Sequence, residues 1–355
     1  MKKFMLFAAM ASVVLTSCVN EDKEVMESAS KKAISFDMPV MKPTRLAGEI
    51  NGTTYPTTET FKVFCKSYTV AYTSWTAGAD YFAATGEDVA LIDGNWSTTP
   101  AHYWPELGNK LAFAAYSPAA ASAHGTFEQT QTGLTITGFS TQAEVANQYD
   151  LMYTPRVIDL DKDDAATPVP LVFKHALTSV VFKATKTDAD ATATYKIISL
   201  TVNGKVSTTG NFNQNILTSA ELDGTAPTWD PVAATDKTYS ILSGKNIDVA
   251  QAGTYLTGVE SADGASTALL LIPQGVDVNT TVTITYTKTA GGSSSDGTAT
   301  IKLVDFLDGA SNSVNTWVMG HRYIYNITFG ANKPIYFDPE VEKDWTDVGL
   351  NYTID

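Results

Sequence analysis

The chain has 355 residues, with 24 Lys and Arg against 38 Asp and Glu, and a formal net charge of −14 at pH 7. An acidic balance of this size argues against binding to nucleic acid or to anionic lipid headgroups, which both need positive charge. Hydrophobic residues make up 44% of the sequence and charged residues 17%. A chain of this length and composition can bury a sizeable core, most naturally as two domains.

The first eighteen residues predict export. Lys2 and Lys3 precede an apolar run over residues 4–14, which is too short to cross a bilayer and is typical of a secretory signal peptide. Leu15-Thr16-Ser17 then lead to Cys18, and this arrangement resembles the bacterial lipobox, in which the cysteine is acylated by fatty acids such as palmitate. An ordinary signal peptide with an incidental cysteine is the alternative. We expect a lipoprotein signal peptide at residues 1–17 and lipidation at Cys18.

The residues after Cys18 are acidic, because residues 19–24 read Val-Asn-Glu-Asp-Lys-Glu. Such a cluster resembles the signal that sends some lipoproteins to the outer face of the outer membrane, although a solvated tether has a similar composition. We expect an acidic disordered tether at residues 18–30 and a surface-exposed location on the cell outer membrane. Loss of residues 1–17 removes two Lys and no acid, so the mature chain has 22 basic and 38 acidic residues and a net charge of −16. An acylated Cys18 leaves Cys65 without a disulfide partner.

Apolar residues alternate with polar ones along most of the chain, which predicts strands that bury one face. Thr, Val, Tyr and Ile dominate these segments, as is typical of strands. Many short strands separated by turn signals predict an all-β fold of two antiparallel β-sandwich domains in tandem. The alternating sets are Ile34/Phe36/Met38, Phe61/Val63/Cys65, Leu111/Phe113, Leu171/Phe173, Ile198/Leu200/Val202, Leu269/Leu271, Val282/Ile284/Tyr286, Ile301/Leu303, Tyr323/Tyr325/Ile327/Phe329 and Ile335/Phe337.

Turns are predicted at glycine-containing pairs, and helices at two short segments only. The helical candidates are residues 142–149 and 248–252. A polar stretch at residues 159–168 separates two strand-rich halves, so we expect an N-terminal domain at residues 31–168 and a C-terminal domain at 169–355. The predicted turns are Asn51-Gly52, Asp93-Gly94, Asn203-Gly204, Asp223-Gly224, Asp263-Gly264 and the run from Gly291 to Ser295.

The sequence contains none of the common catalytic or metal-binding motifs. The histidines at positions 102, 124, 175 and 321 do not have metal-ligand spacing, and no nucleophile elbow, P-loop or zinc-protease motif is present. Asp159, Asp161 and Asp163 alternate like the start of an EF-hand, but Asp164 and Pro170 stand where glycine and glutamate are required. We expect no enzymatic activity and no cofactor. His175 is expected to be a structural residue satisfied by a local hydrogen bond.

Ordered short motifs across the mature chain resemble those of the fimbrillin family, the type V pilin subunits of Gram-negative anaerobes. They are Ile34-Ser35-Phe36 with Pro43-Thr44-Arg45; His102-Tyr103-Trp104-Pro105 with Leu111 to Pro118; Gln148 to Tyr153 with Val169 to Leu177; and Trp317, Gly320, Tyr323, Tyr325 and Ile327. The resemblance implies transthyretin-like sandwiches and a structural subunit of surface fimbriae, with other fimbrial subunits as partners and a role in adhesion or biofilm.

The resemblance also implies assembly by donor-strand exchange, in which an Arg-specific protease removes the first strand and a strand of the next subunit replaces it. In this sequence the candidate leaving strand is Ile34/Phe36/Met38, and the candidate cut lies between Arg45 and Leu46. Burial of three such side chains contributes about 5–9 kcal/mol, at about 1.5–3 kcal/mol each. The candidate donor strands are Ile335/Phe337 and Leu350/Tyr352/Ile354.

Two other functions are consistent with the sequence. A monomeric glycan-binding surface lipoprotein would use exposed aromatic side chains, for which Trp75, Tyr81 and Trp96 are the candidates. A hydrolase is disfavoured by the missing motifs, although a pair of glycosidase carboxylates leaves no sequence signature.

Overall fold

A computed structural model of the protein describes residues 31–37, 55–105, 108–187, 192–218, 220–224, 226–258, 261–262, 267–307, 312–330 and 346–354. Within these ranges the regular structure is almost entirely β. The helical segments are short 3₁₀ turns at Trp75–Ala77, Ala119–His124, Val145–Asn147, Lys162–Ala166 and Leu303–Asp305.

The strands follow one another along the chain in two groups. The first group is β1 (Phe36–Asp37), β2 (Phe61–Tyr68), β3 (Ala79–Asp80), β4 (Glu87–Ile92), β5 (Asn95–Thr98), β6 (Lys110–Ser117), β7 (Thr126–Thr130), β8 (Gly133–Ser140), β9 (Met152–Tyr153), β10 (Val157–Leu160), β11 (Val169–Pro170) and β12 (Lys174–His175). The second group is β13 (Thr178–Lys186), β14 (Thr194–Val206), β15 (Thr209–Asn213), β16 (Thr228–Pro231), β17 (Thr235–Leu242), β18 (Ile247–Asp248), β19 (Thr254–Tyr255), β20 (Leu269–Leu271), β21 (Gln274–Gly275), β22 (Thr281–Ala290), β23 (Ser293–Lys302), β24 (Thr316–Trp317), β25 (His321–Phe329) and β26 (Thr346–Ile354).

The first sheet has the strand order β11-β1-β5-β4-β2-β6-β9-β12, with β10 added beside β6 and β3 beside β2. Its inner strand β6 is buried on both faces. Leu111, Phe113 and Ala115 belong to one core cluster, and the residues between them belong to another. A second sheet, β16-β15-β8-β7, contributes Ile136 and Phe212 to this other cluster and so covers that face. The result is a sandwich in which β6 lies at the centre.

Of the remaining strands, β21 and β24 form a two-stranded sheet, and the others form a pair of five-stranded sheets. One has the order β19-β13-β25-β26 with β20 beside β13, and the other has the order β17-β14-β22-β23 with β18 beside β14. Phe182 and Tyr325 stack in the core between them, with ring centroids 5.5 Å apart. Most strand pairs are antiparallel, as predicted, but β1–β11, β13–β25 and β25–β26 are parallel. The all-β sandwich fold predicted from the sequence is confirmed.

Strand β20 joins the two sandwiches. Leu269 and Leu271 face the core between the five-stranded sheets, whereas Leu270 and Ile272 face the core behind the first sheet. Successive side chains of a strand point to opposite faces, so this apolar run contributes to two cores at once.

The predicted boundary between residues 168 and 169 falls inside one sheet. Strands β11 and β12 follow that boundary, yet they pair with β1 and β9 of the first sheet. Strand β15 likewise pairs with β8 across it. The division of the chain into two tandem domains stays a prediction, and the topology shows strands from both halves interleaved around it.

Three local predictions need correction. Asn203-Gly204 is not a turn, because it lies inside β14; glycine is needed there since a Cβ would come within 2.5 Å of Thr280 Oγ1. The helix expected at residues 142–149 is only the 3₁₀ turn Val145–Asn147, and the segment expected at 248–252 begins in β18. Asp93-Gly94 does form the turn between β4 and β5, with φ of 49° and 82°.

Replacement of Leu270 by alanine tests the two-sided role of β20. The side chain is fully buried, so Leu270→Ala should lower the free energy of unfolding by about 2–5 kcal/mol. The matched control is Leu217→Ala, where the side chain is 73% exposed and the change should stay within about 0.5 kcal/mol. Urea denaturation measures both, and equal effects would contradict the placement of Leu270 in a core.

Candidate functional site

Residues 31–37 occupy an inner position of the first sheet rather than its edge. Phe36 pairs with Val169 in parallel on one side and with Trp96 in antiparallel on the other. An isolated antiparallel bridge joins Ala33 to Tyr103. We call the space between residues 96–104 and residues 169–171, which residues 31–37 fill, the N-terminal slot. Strand β11 forms the outer wall of this slot and is itself the edge of the sheet.

Main-chain hydrogen bonds hold the segment on both walls. On the inner wall, the Ile34 amide donates to the His102 carbonyl at 2.8 Å, and the Trp104 amide donates to the Lys32 carbonyl at 3.0 Å. On the outer wall, the Val169 amide donates to the Ser35 carbonyl at 2.8 Å, and the Leu171 amide donates to the Asp37 carbonyl at 2.9 Å. Loss of the segment would leave these wall groups without their partners, and unpaired main-chain groups in a sheet favour addition of a new strand.

Two side chains of the segment point into the core. Ile34 is 1% exposed and Phe36 is 3% exposed, whereas Ala33 and Asp37 are exposed. The Phe36 ring makes edge-to-face contacts with Phe61 and Phe113, with centroids 6.0 and 5.9 Å apart. Burial of Ile34 and Phe36 stabilises the docked segment by about 3–6 kcal/mol, at about 1.5–3 kcal/mol each.

Tyr55 lies in the same core as Phe36 and begins the next described range. Its ring stacks on Phe173 with centroids 5.9 Å apart, and its hydroxyl is hydrogen-bonded to Ser117 Oγ at 2.6 Å. Burial raises the pKa of the Tyr55 hydroxyl well above its ordinary value, so the group stays protonated. The residue therefore anchors the start of the described range 55–105 in this core.

The structure places some of the predicted site residues and leaves others outside its described ranges. Ile34 and Phe36 lie in the slot as a buried, alternating pair. Leu350, Tyr352 and Ile354 lie in β26, which pairs in parallel with the whole length of β25 of the same chain, from His321 with Thr346 to Phe329 with Ile354. The residues outside the described ranges are Cys18, Met38, Arg45, Leu46, Ile335 and Phe337.

The walls of the slot were not predicted. From the sequence, Trp104-Pro105 is identified only as part of a family motif, and Leu171/Phe173 only as an alternating pair at the start of the predicted second domain. Their juxtaposition around residues 31–37 depends on sequence separations of about 70 and 135 residues, which no local pattern encodes. The sequence signal that could have located the outer wall was Pro170, because a proline within a strand pattern indicates an edge strand.

One of the aromatic residues expected to be exposed is buried. Trp75 is 2% exposed and lies under the guanidinium of Arg156, whose central carbon is 5.1 Å from the ring centroid. The Arg156 side chain also donates to the Tyr72 hydroxyl at 2.8 Å and to the Gln131 carbonyl at 3.0 Å. Burial lowers the pKa of Arg156. The expectation that Trp75 presents a surface for glycans is therefore wrong, and Tyr81 and Trp96 are only half-buried residues packed on the core.

The acidic run and His175 have structural roles. Asp161 caps the 3₁₀ turn that follows it. It also pairs with Lys110, which lowers the pKa of the Asp161 carboxyl. Asp159 accepts a hydrogen bond from the Tyr72 amide at 2.6 Å. His175 Nδ1 lies 2.9 Å from Asp150 Oδ1 in a buried pair. No group of three or more potential metal ligands is found among the described residues. The described helices also include none long and apolar enough to cross a membrane.

Comparisons with known proteins give a family and a fold. The sequence profile of a family described as fimbrillin-like matches residues 50–345. Among solved structures, a fimbrial protein from Bacteroides vulgatus has a TM-score of 0.51 and 15% identity, covering 84% of this chain and 95% of that chain. A protein from Bacteroides ovatus that is described as a candidate cell-adhesion protein has a TM-score of 0.43 and 13% identity, covering 84% of this chain and 92% of that chain. Another with the same description, from Bacteroides uniformis, has a TM-score of 0.42 and 16% identity, covering 90% of this chain and 97% of that chain. The curated proteins contain no match. At these identities, the Bacteroides vulgatus structure supports the fold alone.

Replacement of Phe36 by alanine tests the docking of residues 31–37. Phe36→Ala removes a ring that is buried between Phe61 and Phe113, so the segment should be destabilised by about 3–5 kcal/mol. Hydrogen exchange at the amides of Val169 and Leu171, which donate to the segment, should become faster, as should global unfolding in urea. The control Asp37→Ala changes an exposed side chain beside it and should leave both measurements unchanged. Unaltered exchange in Phe36→Ala would contradict the docking.

Proposed function

This chain belongs to the fimbrillin-like family of fimbrial and cell-adhesion proteins, and we propose that it is a structural subunit of surface fimbriae that assembles by donor-strand exchange. Its role is mechanical rather than catalytic. Residues 31–37 leave the N-terminal slot after proteolysis, and a strand of another fimbrial subunit enters it. The assembled fimbria supports adhesion or biofilm formation.

The observation that carries this proposal is the inner position of residues 31–37. A strand that lies between two others makes main-chain hydrogen bonds on both sides, here to residues 102 and 104 and to residues 169 and 171. The segment is also short, and its described contacts depend on Ile34 and Phe36. A short strand with bonds on two sides can be replaced by another of the same pattern without disturbing the remaining sheet, which is the condition for strand exchange.

The arginines of the chain support a single cut. They are Arg45, Arg156 and Arg322. Arg156 is 2% exposed and Arg322 is 5% exposed, so neither is open to a protease in the folded protein. Arg45 lies between the docked segment and Tyr55, and cleavage after it separates residues 31–37 from the body of the protein. An Arg-specific protease would therefore act at the position where cleavage releases the strand.

Export and anchoring complete the proposal. Acylation at Cys18 attaches the precursor to the outer membrane, since each buried CH₂ contributes about 0.8 kcal/mol, and the acidic tether at residues 18–30 directs it to the cell surface. The anchor and the leaving strand lie on the same side of Arg45, so the same cut frees the subunit from its lipid. The division at residue 168 into two sandwich domains belongs to the same proposal.

Digestion of the full folded chain with an Arg-specific protease tests this function. We expect a single cut that gives a new N-terminus at Leu46, followed by the formation of SDS-resistant ladders once residues up to 45 are displaced by warming. Arg45→Lys keeps the charge and removes the protease site, so this control should remain an uncut monomer. N-terminal sequencing and SDS electrophoresis without boiling measure the two effects.

Other outcomes would contradict the proposal. Cleavage at Arg156 or Arg322 before Arg45 would show that the folded body does not protect them. A chain that is cut at Arg45, loses residues up to 45 and stays monomeric would contradict strand exchange. A stable monomer that binds polysaccharide would favour the glycan-binding alternative.

A further inference from the structure

Strand β23 is a long and regular edge strand. It contains 10 residues, Ser293–Lys302, and lies at the end of the sheet β17-β14-β22-β23. Its pairing with β22 continues without a register shift from Ala290 with Ser293 to Thr281 with Lys302. Natural proteins usually shorten such edges, bend them with a bulge or place a proline in them. β23 has none of these features, so its open side can accept another strand.

The hairpin fixes which main-chain groups of β23 face outward. Its loop, residues 291–292, has φ of 56° and 80°, as in a type I′ turn closed by a hydrogen bond between Ala290 and Ser293. At the other end of the hairpin, the Leu303 amide donates to the Thr280 carbonyl at 2.8 Å. Because bonding alternates along an antiparallel pair, the odd-numbered residues of β23 bond to β22. The even-numbered residues therefore present their amides and carbonyls at the open edge. They are Ser294, Asp296, Thr298, Thr300 and Lys302.

The side chains of these even-numbered residues form an exposed polar row. The row already makes contacts across the sheet to β22, since the hydroxyls of Thr283 and Thr300 are 3.1 Å apart and the Thr287 hydroxyl donates to Asp296. Asp296 and Lys302 are the charged residues of β23, and they lie at equal distances in sequence on either side of Ala299. Opposite charges placed symmetrically about one residue make the edge complementary to itself.

A two-fold axis at Ala299 would bring two copies of β23 together as an antiparallel pair. In this register Asp296 of each copy faces Lys302 of the other, and Thr298 faces Thr300. All of these are even-numbered positions, so each facing pair exchanges main-chain hydrogen bonds across the edge. Opposite charges and threonines at facing positions stabilise a sheet. An axis at a neighbouring residue loses both Asp–Lys pairs, so the charges select this register.

We propose that β23 pairs edge to edge with β23 of a second copy of this chain, about a two-fold axis at Ala299. The two four-strand paths then join as β17-β14-β22-β23-β23-β22-β14-β17. The chain is acidic, so two copies repel each other at long range, and a self-contact needs the local complementarity that this edge supplies. The contact does not use the N-terminal slot. It therefore forms in the uncut chain and stands apart from strand exchange.

The contact uses one strand of each molecule, so the dimer is weak in dilute solution. Attachment to a common surface raises the effective concentration of the subunits and hence the fraction that is paired. Pairing through β23 would thus join neighbouring subunits side by side, and its strength would depend on how densely they are displayed.

Charge reversal tests the partner and the register. Every variant is made in the uncut mature chain, residues 18–355, with Cys18→Ser and Arg45→Lys, so that neither lipid nor strand exchange contributes. Asp296→Lys places lysine opposite lysine, and Lys302→Asp places aspartate opposite aspartate. Each should weaken self-association by about tenfold or more. An equimolar mixture of the two variants should pair within about threefold of the parent, because opposite charges face each other again. Sedimentation equilibrium measures the dissociation constants.

A control and the possible outcomes separate this contact from a general effect of charge. Lys205→Asp makes the same change at an exposed residue of β14, away from the edge, and should alter the dissociation constant by less than about threefold. Association in the mixture but in neither variant alone supports the inference. A parent that stays monomeric at millimolar concentration, a mixture that fails to pair, or an equal effect of Lys205→Asp overturns it. Circular dichroism and urea denaturation show that each variant is folded.

Cysteine trapping gives an independent test of the axis. Ala299 would face its own copy in a non-hydrogen-bonded pair, where Cα atoms lie about 4.5 Å apart, a distance that a disulfide spans. Ala299→Cys should therefore form a covalent dimer under mild oxidation. The matched control is Ser295→Cys, a more exposed position of the same strand whose two copies would be about 27 Å apart. Cys65 is buried, and the parent chain measures its background.

The two cysteine variants decide the register. Rapid cross-linking of Ala299→Cys with little in Ser295→Cys supports the axis at Ala299. Equal cross-linking of both variants, or none in Ala299→Cys, overturns the inference. Either result leaves the proposed strand exchange untouched, because the slot stays filled in the uncut chain.

Discussion

Completion of main-chain hydrogen bonding at an inner strand position is the constraint on which the first sheet depends. The slot between residues 96–104 and 169–171 presents amides and carbonyls on both walls, and these need a strand between them. Residues 31–37 meet this need with few residues and two buried side chains. Because the hydrogen bonds belong to the main chain, they do not depend on which chain supplies the strand. The buried side chains at positions 34 and 36 therefore supply the part of the fit that depends on sequence.

Packing in the remainder of the protein holds the two walls of this slot in position. β6 is buried on both faces at the centre of the first sandwich, and β20 contributes alternate leucines to two cores. Cys65 is a free, buried thiol whose pKa is raised by burial, so packing rather than a disulfide stabilises this part of the chain. A body that is rigid through shared cores can lose a short strand without losing its sheets.

The sequence predicted what depends on local pattern. Alternation located most of the long strands, including β2, β14 and β22, and the absence of helical periodicity gave the all-β class. Prediction from the sequence failed where the same local sequence signal can have two physical causes. Asn203-Gly204 looks like a turn, but the glycine is there because Thr280 lies against it. Trp75 is expected from the sequence to be exposed, yet the guanidinium of Arg156, from a distant part of the chain, lies over its ring. The walls of the slot come together only through long-range topology. The sequence therefore predicted the strand at Ile34 and Phe36 but not the slot that it fills.

Pro170 gives the outer wall a further property. It lies in β11, the last strand of the first sheet, and has no amide hydrogen to offer to a strand on its open side. Sheets that end in ordinary strands can stick to one another side by side, whereas this border is blunted. The missing amide therefore makes the open side of β11 a poor template for side-by-side pairing with the sheet of another molecule.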